Sequence, residues 1–264
     1  LQILIFILGA CVGSFANVLA IRTTESRNYI FGRSKCPKCD RQIHWYDNLP
    51  LISFLLLKGR CRQCKESISM QYPVVELVMG ILAVVFYVHN SSFLSYILLM
   101  GMGTMLLAIA LTDLKEKFIY ESHLYSLLAF SIFYRYLIID VGIMDTLLGV
   151  GLFGGFLLCL RFIGRIIYKR EAMGAGDIKL GFILGILFDW QLAVVALYLS
   201  FISASIVGVY LLLFKKKQIK ILPFAPFIAF GSILSVVYGN KIIYAFLSII
   251  MNSHSNLFIF NLVN

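Results

Sequence analysis

Two acids and four cysteines are the residues of this sequence whose types and spacing could do chemistry. Asp113 stands in "IALTDLKEKFIY" (109–120), at the end of a long apolar run. Asp177 stands in "EAMGAGDIKLGFILGILFDW" (171–190), between glycines and a second apolar run. Two carboxylates brought close cannot both ionise easily, so they share a proton. One then takes a proton from water while the other, still protonated, polarises a carbonyl. That is general acid–base peptide hydrolysis without a covalent intermediate. Each acid alone has a plainer reading. Asp113 could cap a helix end or pair with Lys115 or Lys117, and Asp177 stands at a helix start, where the dipole favours a carboxylate.

The cysteines Cys36, Cys39, Cys61 and Cys64 form C-x2-C, a 21-residue spacer and a second C-x2-C. Two chelating turns of this kind supply a tetrahedral thiolate set. Lys35, Lys38, Arg60, Arg62 and Lys65 beside them favour the thiolate forms. Structural zinc is favoured over a redox dithiol or an iron–sulfur site, because the segment reads as cytoplasmic, where disulfides are disfavoured. Four thiolates leave no open position for a substrate, so the metal staples a module too small to hold a core by itself. Cys11 and Cys159 fall within apolar helices and read as ordinary buried residues.

These residues are carried by an apolar chain of 264 residues, 60% hydrophobic and 14% charged, with mean hydropathy +0.90. Helix-length apolar stretches recur throughout, so the fold class is an all-α polytopic membrane protein with about eight transmembrane helices. The spans are expected at 1–21, 73–88, 93–112, 122–139, 145–168, 178–188, 191–214 and 222–238, with 242–251 as a ninth span or an interfacial tail. The small zinc-stapled insert lies between the first and second. "LISFLLL" (51–57) is too short to cross and is expected to pack into the insert or dip into the interface. The apolar start lacks a basic n-region and reads as a retained first helix.

The net charge of +10 concerns orientation before it concerns a partner, and no nucleic-acid partner is expected. Residues 22–72 hold ten Lys/Arg, "HNSS" none, "DLKEK" two, 138–145 none, 161–179 five, "FDW" none and "KKKQIK" four. This alternation puts the N-terminus outside and both aspartates at the cytoplasmic face. Arg135, near the outer end of its span, fits that pattern poorly. The segment after Asp177 is short: Ile178–Phe188 rises only about 16 Å as a helix, and residues from Met173 bring it to about 24 Å. The Gly-Ala-Gly-Asp turn is therefore expected in a recess below the headgroups, where glycine allows the turn and a close backbone approach.

Other chemistries have little support. There is no G-x-S-x-G and no H-E-x-x-H, and His44, His89, His123 and His254 are scattered over different regions. "GMGTML" (101–106) lies within a span and reads as packing glycine. "GLFGG" (151–155) and "GFILG" (181–185) fit G-x-x-x-G and mark close helix contacts. A proton-coupled carrier would use paired acids as a relay, but it would spread them through the membrane depth or repeat its halves. A zinc-stabilised scaffold with both acids as caps is the other rival.

Several ordered segments together resemble the type IV prepilin peptidases, the GxGD-type intramembrane aspartyl proteases. They are "GSFANVLAIR" (13–22), the four-cysteine module with "WYDNLP" and "ISMQYPVVEL", "LTDLKEKFIY", "MGAGDIKLGFILG" and "LPFAPFIAFG" (222–231). The resemblance implies that Asp113 and Asp177 are the catalytic pair, cutting the basic leader from prepilin or pseudopilin precursors after a glycine. It also implies N-methylation of the new N-terminus with S-adenosylmethionine, in a bacterial cytoplasmic (inner) membrane. Where the family reads Ile-Pro-Asn after the first aspartate, this chain has Ile119-Tyr120-Glu121. Gly174, Gly176, Lys179 and Glu76 are candidates for contacting substrate. Glu76 has a plainer reading as an interfacial acid near Lys65 or Arg62, and Lys179 tunes the pair or snorkels. The expected organisation is a first transmembrane helix (1–22), the four-cysteine zinc module (23–72) and a membrane-embedded peptidase core (73–264).

Overall fold

The computed structural model describes residues 1–25, 32–90, 92–139, 142–169, 173–215 and 222–262. Residues 26–31 and the basic loop 216–221, both used in the charge alternation, lie outside them. The chain is helical, and it divides into two compact units, Leu1–Ile139 and Asp140–Asn264.

The first unit holds α1 (Gln2–Thr24), α2 (Ile52–Leu56), α3 (Gln71–His89), α4 (Phe93–Glu116) and α5 (Glu121–Leu137). Helix α1 lies against α3 at backbone distance. A Cβ at Gly13 would stand 2.9 Å from Glu76 Cα and Met79 Cβ, and one at Gly9 would stand 2.8 Å from the Met79 carbonyl oxygen. Small residues at such seams let apolar helices gain packing that lipid cannot supply. Met79, Phe86, Leu99, Ile109 and Leu127 fill the centre. The glycines of "GMGTML" are packing positions: Gly101 faces the Phe130 ring, and Gly103 faces Phe86 and Met79. Arg135 is buried at the end of α5. It is part of the unit's interior and not a loop cation, which is why it breaks the alternation of loop charge.

The second unit holds α6 (Ile143–Tyr168), α7 (Ala175–Leu187), α8 (Trp190–Lys215) and α9 (Ala225–Leu262). Helix α7 packs on α6, α8 on both α6 and α9. Phe153 stacks on Phe188 at 6.1 Å, with Leu157, Leu180, Leu184 and Ile228 fully buried nearby in the same unit. From Ala225 on, the run 222–238 and the stretch 242–251 belong to one continuous helix, Ala225–Leu262. Gly239 does not interrupt it, because its bare Cα faces the side chain of Leu192.

"GFILG" makes the close contact expected of it, since Gly181 and Gly185 meet α6. "GLFGG" does so in a different register. Gly151 and Gly155 face open space, whereas Gly149 and Gly154 meet α7. At 100° per residue, 149, 150, 153, 154 and 157 share one face of α6, and 151 and 155 point away from it. A Cβ at Gly185 would lie 2.6 Å from Val150 Cα, which cannot move without moving α6. We expect Gly185→Ala to destabilise the unit by about 1–3 kcal/mol. Gly155→Ala should stabilise it by up to about 1 kcal/mol through helix propensity. Thermal unfolding in detergent reads both.

Six helices (α1, α3, α4, α6, α8 and α9) are long and apolar enough to cross a membrane. Helices α5 and α7, with 17 and 13 residues, are shorter. Cys11 and Cys159 correct their expected burial: both are exposed on outward helix faces. In a multi-pass protein those faces meet lipid, which a thiol tolerates as a small apolar group.

Candidate active site and metal centre

The four-cysteine insert is built as two copies of one turn, 25 residues apart. In the first, the Cys36 amide donates to the Arg41 carbonyl, the Asp40 amide to Cys36, and the Ile43 amide to Ser34. In the second, Cys61 donates to Glu66, Lys65 to Cys61, and Ile68 to Gly59. Isolated bridges Lys35–Gln42 and Arg60–Ser67 close the two turns. Asp40 and Lys65 each take a left-handed backbone, with φ of 55° and 58°. Each turn thus aims two thiols the same way.

The structure brings all four sulfurs within 4.8 Å of one another, with Cys36 and Cys64 Sγ 3.8 Å apart. A tetrahedral zinc with bonds of about 2.3 Å requires sulfurs about 3.8 Å apart, so the set fits that ion. Amides of Cys64 and Gln63 donate to Cys61 and pull its thiol down to about 7. At Cys64 a bond from the Glu66 backbone works in the same direction, but burial and the crowding of neighbouring thiols push it up to about 11. Bound zinc would hold all four as thiolates, with no position left for a substrate.

The module is tied to the membrane helices through two buried polar groups, Asn17, which the sequence reading passed over, and Glu76, which it offered as a substrate contact. Asn17, 1% exposed in α1, donates to the carbonyls of Gly13 and Tyr72 and accepts from Gln71. Glu76 is buried in α3, and its Oε2 accepts the Leu51 amide at 2.8 Å. Its carboxylate is turned to Leu51, not to Lys65 or Arg62; Arg62 instead makes a bidentate contact with Asp47 at 2.7–3.0 Å and lies over the Tyr46 ring. The sequence signal for Asn17 and Glu76 is a polar side chain inside an apolar span, where an unsatisfied group is costly.

Asp113 lies in the last turn of α4, 6% exposed. The helix runs four residues beyond the expected 112 and stops where Lys117 turns left-handed, its amide donating to the Asp113 carbonyl. An acid is disfavoured at a helix C-terminus by the dipole, and a carboxylate cannot cap carbonyls. Lys115 is turned to Thr24 at 3.1 Å. Tyr120, which stands where the resemblance expects proline, donates to Glu116 at 2.6 Å and stacks edge-on with Phe118 and His123. His123 is buried at the start of α5, its Nε2 3.0 Å from Thr23 Oγ1. Thr23 donates its own proton to Leu19, so His123 must donate through Nε2–H. The α4–α5 corner that follows Asp113 is thereby fastened to the end of α1.

Asp177 belongs to the second unit, 9% exposed in the first turn of α7. The expected irregular turn is not found: Ala175, Gly176 and Asp177 are already helical, and 13 residues give about 20 Å. Helix geometry begins early because Gly174, at φ −66° and ψ 146°, serves as its N-cap residue. A Cβ at Gly174 would meet Asp177 Oδ2 at 2.9 Å, so glycine leaves room for the carboxylate and is not needed for an unusual φ. Gly176 is half-exposed and Lys179 exposed on the same short helix. The four cysteines form one site; the two aspartates stand in separate units, each buried at a helix end.

Comparison with known proteins identifies what carries such an arrangement. The bacterial peptidase A24 N-terminal domain matches residues 7–90, and the type IV leader peptidase family matches residues 100–212. The chain is 32% identical to a prepilin leader peptidase/N-methyltransferase of Vibrio cholerae over 77% of this chain and 84% of that protein. It is 28% identical to the protein of that name from Pseudomonas putida, over 89% and 90%. A third, from Myxococcus xanthus, is 31% identical over 80% of this chain, which spans 63% of that relative's length. No solved structure matches the chain significantly. With both family domains present in order and a relative this similar along most of its length, the chain belongs to the type IV leader peptidase family.

Proposed function

We propose that this multi-pass protein cleaves the basic leader from prepilin or pseudopilin precursors, after a glycine, with Asp113 and Asp177 as its catalytic pair. The observation that carries the reading is the burial of both acids at helix ends of a membrane protein, where an ionisable side chain is costly to keep. One carboxylate takes a proton from the attacking water as its oxygen bonds to the scissile carbonyl carbon. The other, protonated, donates to the carbonyl oxygen and stabilises the tetrahedral diol. Collapse breaks the C–N bond as the proton held by the first acid passes to the leaving amine and one hydroxyl of the diol returns its proton to the second acid. The alternation of loop charge supports a site at the cytoplasmic face with the N-terminus outside, and the family implies a bacterial inner membrane. A precursor whose basic leader precedes an apolar helix would present its cleavage site at that level. Gly174 and Gly176 keep the approach to Asp177 free of side chains, Lys179, exposed two residues on, tunes the pair, and Glu76 acts by holding the cysteine module on α3.

N-methylation of the new N-terminus, with S-adenosylmethionine as donor, belongs to the same proposal through the family. Nothing among the described residues marks a nucleoside cradle, so no residue is assigned to the donor and no step runs through it. Zinc in the cysteine module is structural.

The test is incubation of the detergent-solubilised protein with a pilin-like precursor, with and without S-adenosylmethionine, read by intact mass. Loss of the leader in both arms, and gain of one methylene mass only with the donor, is the expected result. An uncut precursor in both arms would overturn the proposal.

A further inference from the structure

The cysteine module carries an apolar finger beside a basic cleft, and neither feature is needed for zinc. Helix α2 turns Ser53 inward, its hydroxyl donating to the Tyr46 carbonyl, and turns Ile52, Leu55 and Leu56 outward. Leu55 and Leu56 are 74% and 77% exposed. Leucines left so open on a small module point to an apolar surrounding outside it.

The Glu76 contact fixes where that surrounding is. Helix α3 has 19 residues, about 28 Å, so its ends lie near the two faces of a hydrocarbon core of about 30 Å. Glu76 is five residues in from Gln71, or about 7 Å along the axis. Its carboxylate binds the Leu51 amide, so the start of α2 is held level with the second turn of α3. Ile52, next to Leu51, therefore stands at acyl-chain depth, and Leu55 and Leu56 follow it by about one turn of α2.

Immediately beyond them, Leu56, Lys58, Arg60, Arg62 and Lys65 line a cleft of 540 Å³. Arg62 is neutralised by Asp47. Lys58, Arg60 and Lys65 are exposed, and none has a carboxylate within ion-pair distance among the described residues. Residues 33–66 hold eight Lys/Arg against three Asp/Glu, so the excess is not balanced elsewhere in the module. A cation cluster at headgroup level, just above an inserted apolar face, is complementary to a negatively charged lipid.

We propose that this cleft binds an anionic phospholipid of the surrounding bilayer. Its phosphodiester lies against Lys58, Arg60 and Lys65, and its acyl chains lie along Ile52, Leu55 and Leu56. The lipid would fasten the zinc module to the membrane face independently of the zinc.

Native mass spectrometry of the full-length, zinc-loaded protein tests this with phosphatidylglycerol and phosphatidylcholine at equal concentration. Wild type is expected to retain phosphatidylglycerol over phosphatidylcholine. The K58Q/R60Q/K65Q variant should lower the phosphatidylglycerol-bound fraction about tenfold with zinc stoichiometry unchanged. R33Q/K38Q, which removes two cations from the first turn, should leave that fraction as in wild type. Equal retention of the two lipids by wild type overturns the proposal without recourse to any variant. So does an unchanged bound fraction in the triple variant, or displacement of the lipid by inorganic phosphate, which would mark a site for the free ion.

Discussion

Asp113→Asn and Asp177→Asn should each lower leader cleavage by about 10²–10⁴-fold while leaving the protein inserted and zinc-loaded. Asparagine keeps the size of the side chain and its carbonyl acceptor but can neither take nor share the proton. The structural cost should be small, because an amide at either position still has polar capacity and Asp113 gains nothing from the dipole at its end of α4. The sharper reading comes from the double variant. Two groups that act on one water and one carbonyl fail together, so D113N/D177N should be no slower than the weaker single. If the two losses multiply instead, the acids act in separate steps and the shared-proton mechanism is wrong. Normal cleavage by either single variant would remove that aspartate from the chemistry altogether. The same assay separates the carrier reading, in which cleavage is absent from wild type.

Much of this was legible in the residues because the signals involved are local. Apolar runs marked the eight helices other than α2, and the C-x2-C repeats marked, through their own spacing, the four cysteines that could hold a metal. What escaped depended on contacts between elements. Gly151 and Gly155 match G-x-x-x-G as a string, but which face of α6 meets α7 is decided by Phe153, Leu157 and the partner helix. The end of α4 was set four residues late by the left-handed Lys117, a position whose sequence carries no glycine to announce it. Helix α7 starts at Ala175 because Gly174 can stand as its N-cap, which made an irregular turn unnecessary. His123 looked scattered beside three other histidines, and only its 3.0 Å contact with Thr23, a hundred residues away, gives it a place. Asn17 and Glu76 were visible as polar residues in apolar spans, but their partners were not.

Serine at Cys36 and Cys61 together should release the zinc entirely and unfold the module while α1, α3 and α4 stay inserted. The two turns contribute almost no apolar core: of the four cysteines only Cys36 is buried, and Trp45, Leu55 and Leu56 face outward. Metal binding must therefore supply most of the folding free energy, and structural zinc sites in small peptides give about 10–16 kcal/mol at pH 7. Removing one ligand from each turn leaves two thiolates that cannot close a tetrahedron. Metal analysis of the purified protein reads the stoichiometry, and limited proteolysis between residues 32 and 70 reads the order of the module. A variant that keeps one zinc per chain would refute the ligand set, whereas C11S/C159S should change nothing. Acid should act like the mutations, with a sign fixed by proton competition. Without metal, Cys61 loses its proton near pH 7 and Cys64 only near 11, so at neutral pH zinc must already displace a proton from Cys64. Below pH 7 it must displace one from Cys61 as well, and its apparent affinity falls more steeply as pH drops. Retention of zinc down to about pH 4 would mean that oxygen or nitrogen ligands hold it, not these thiolates.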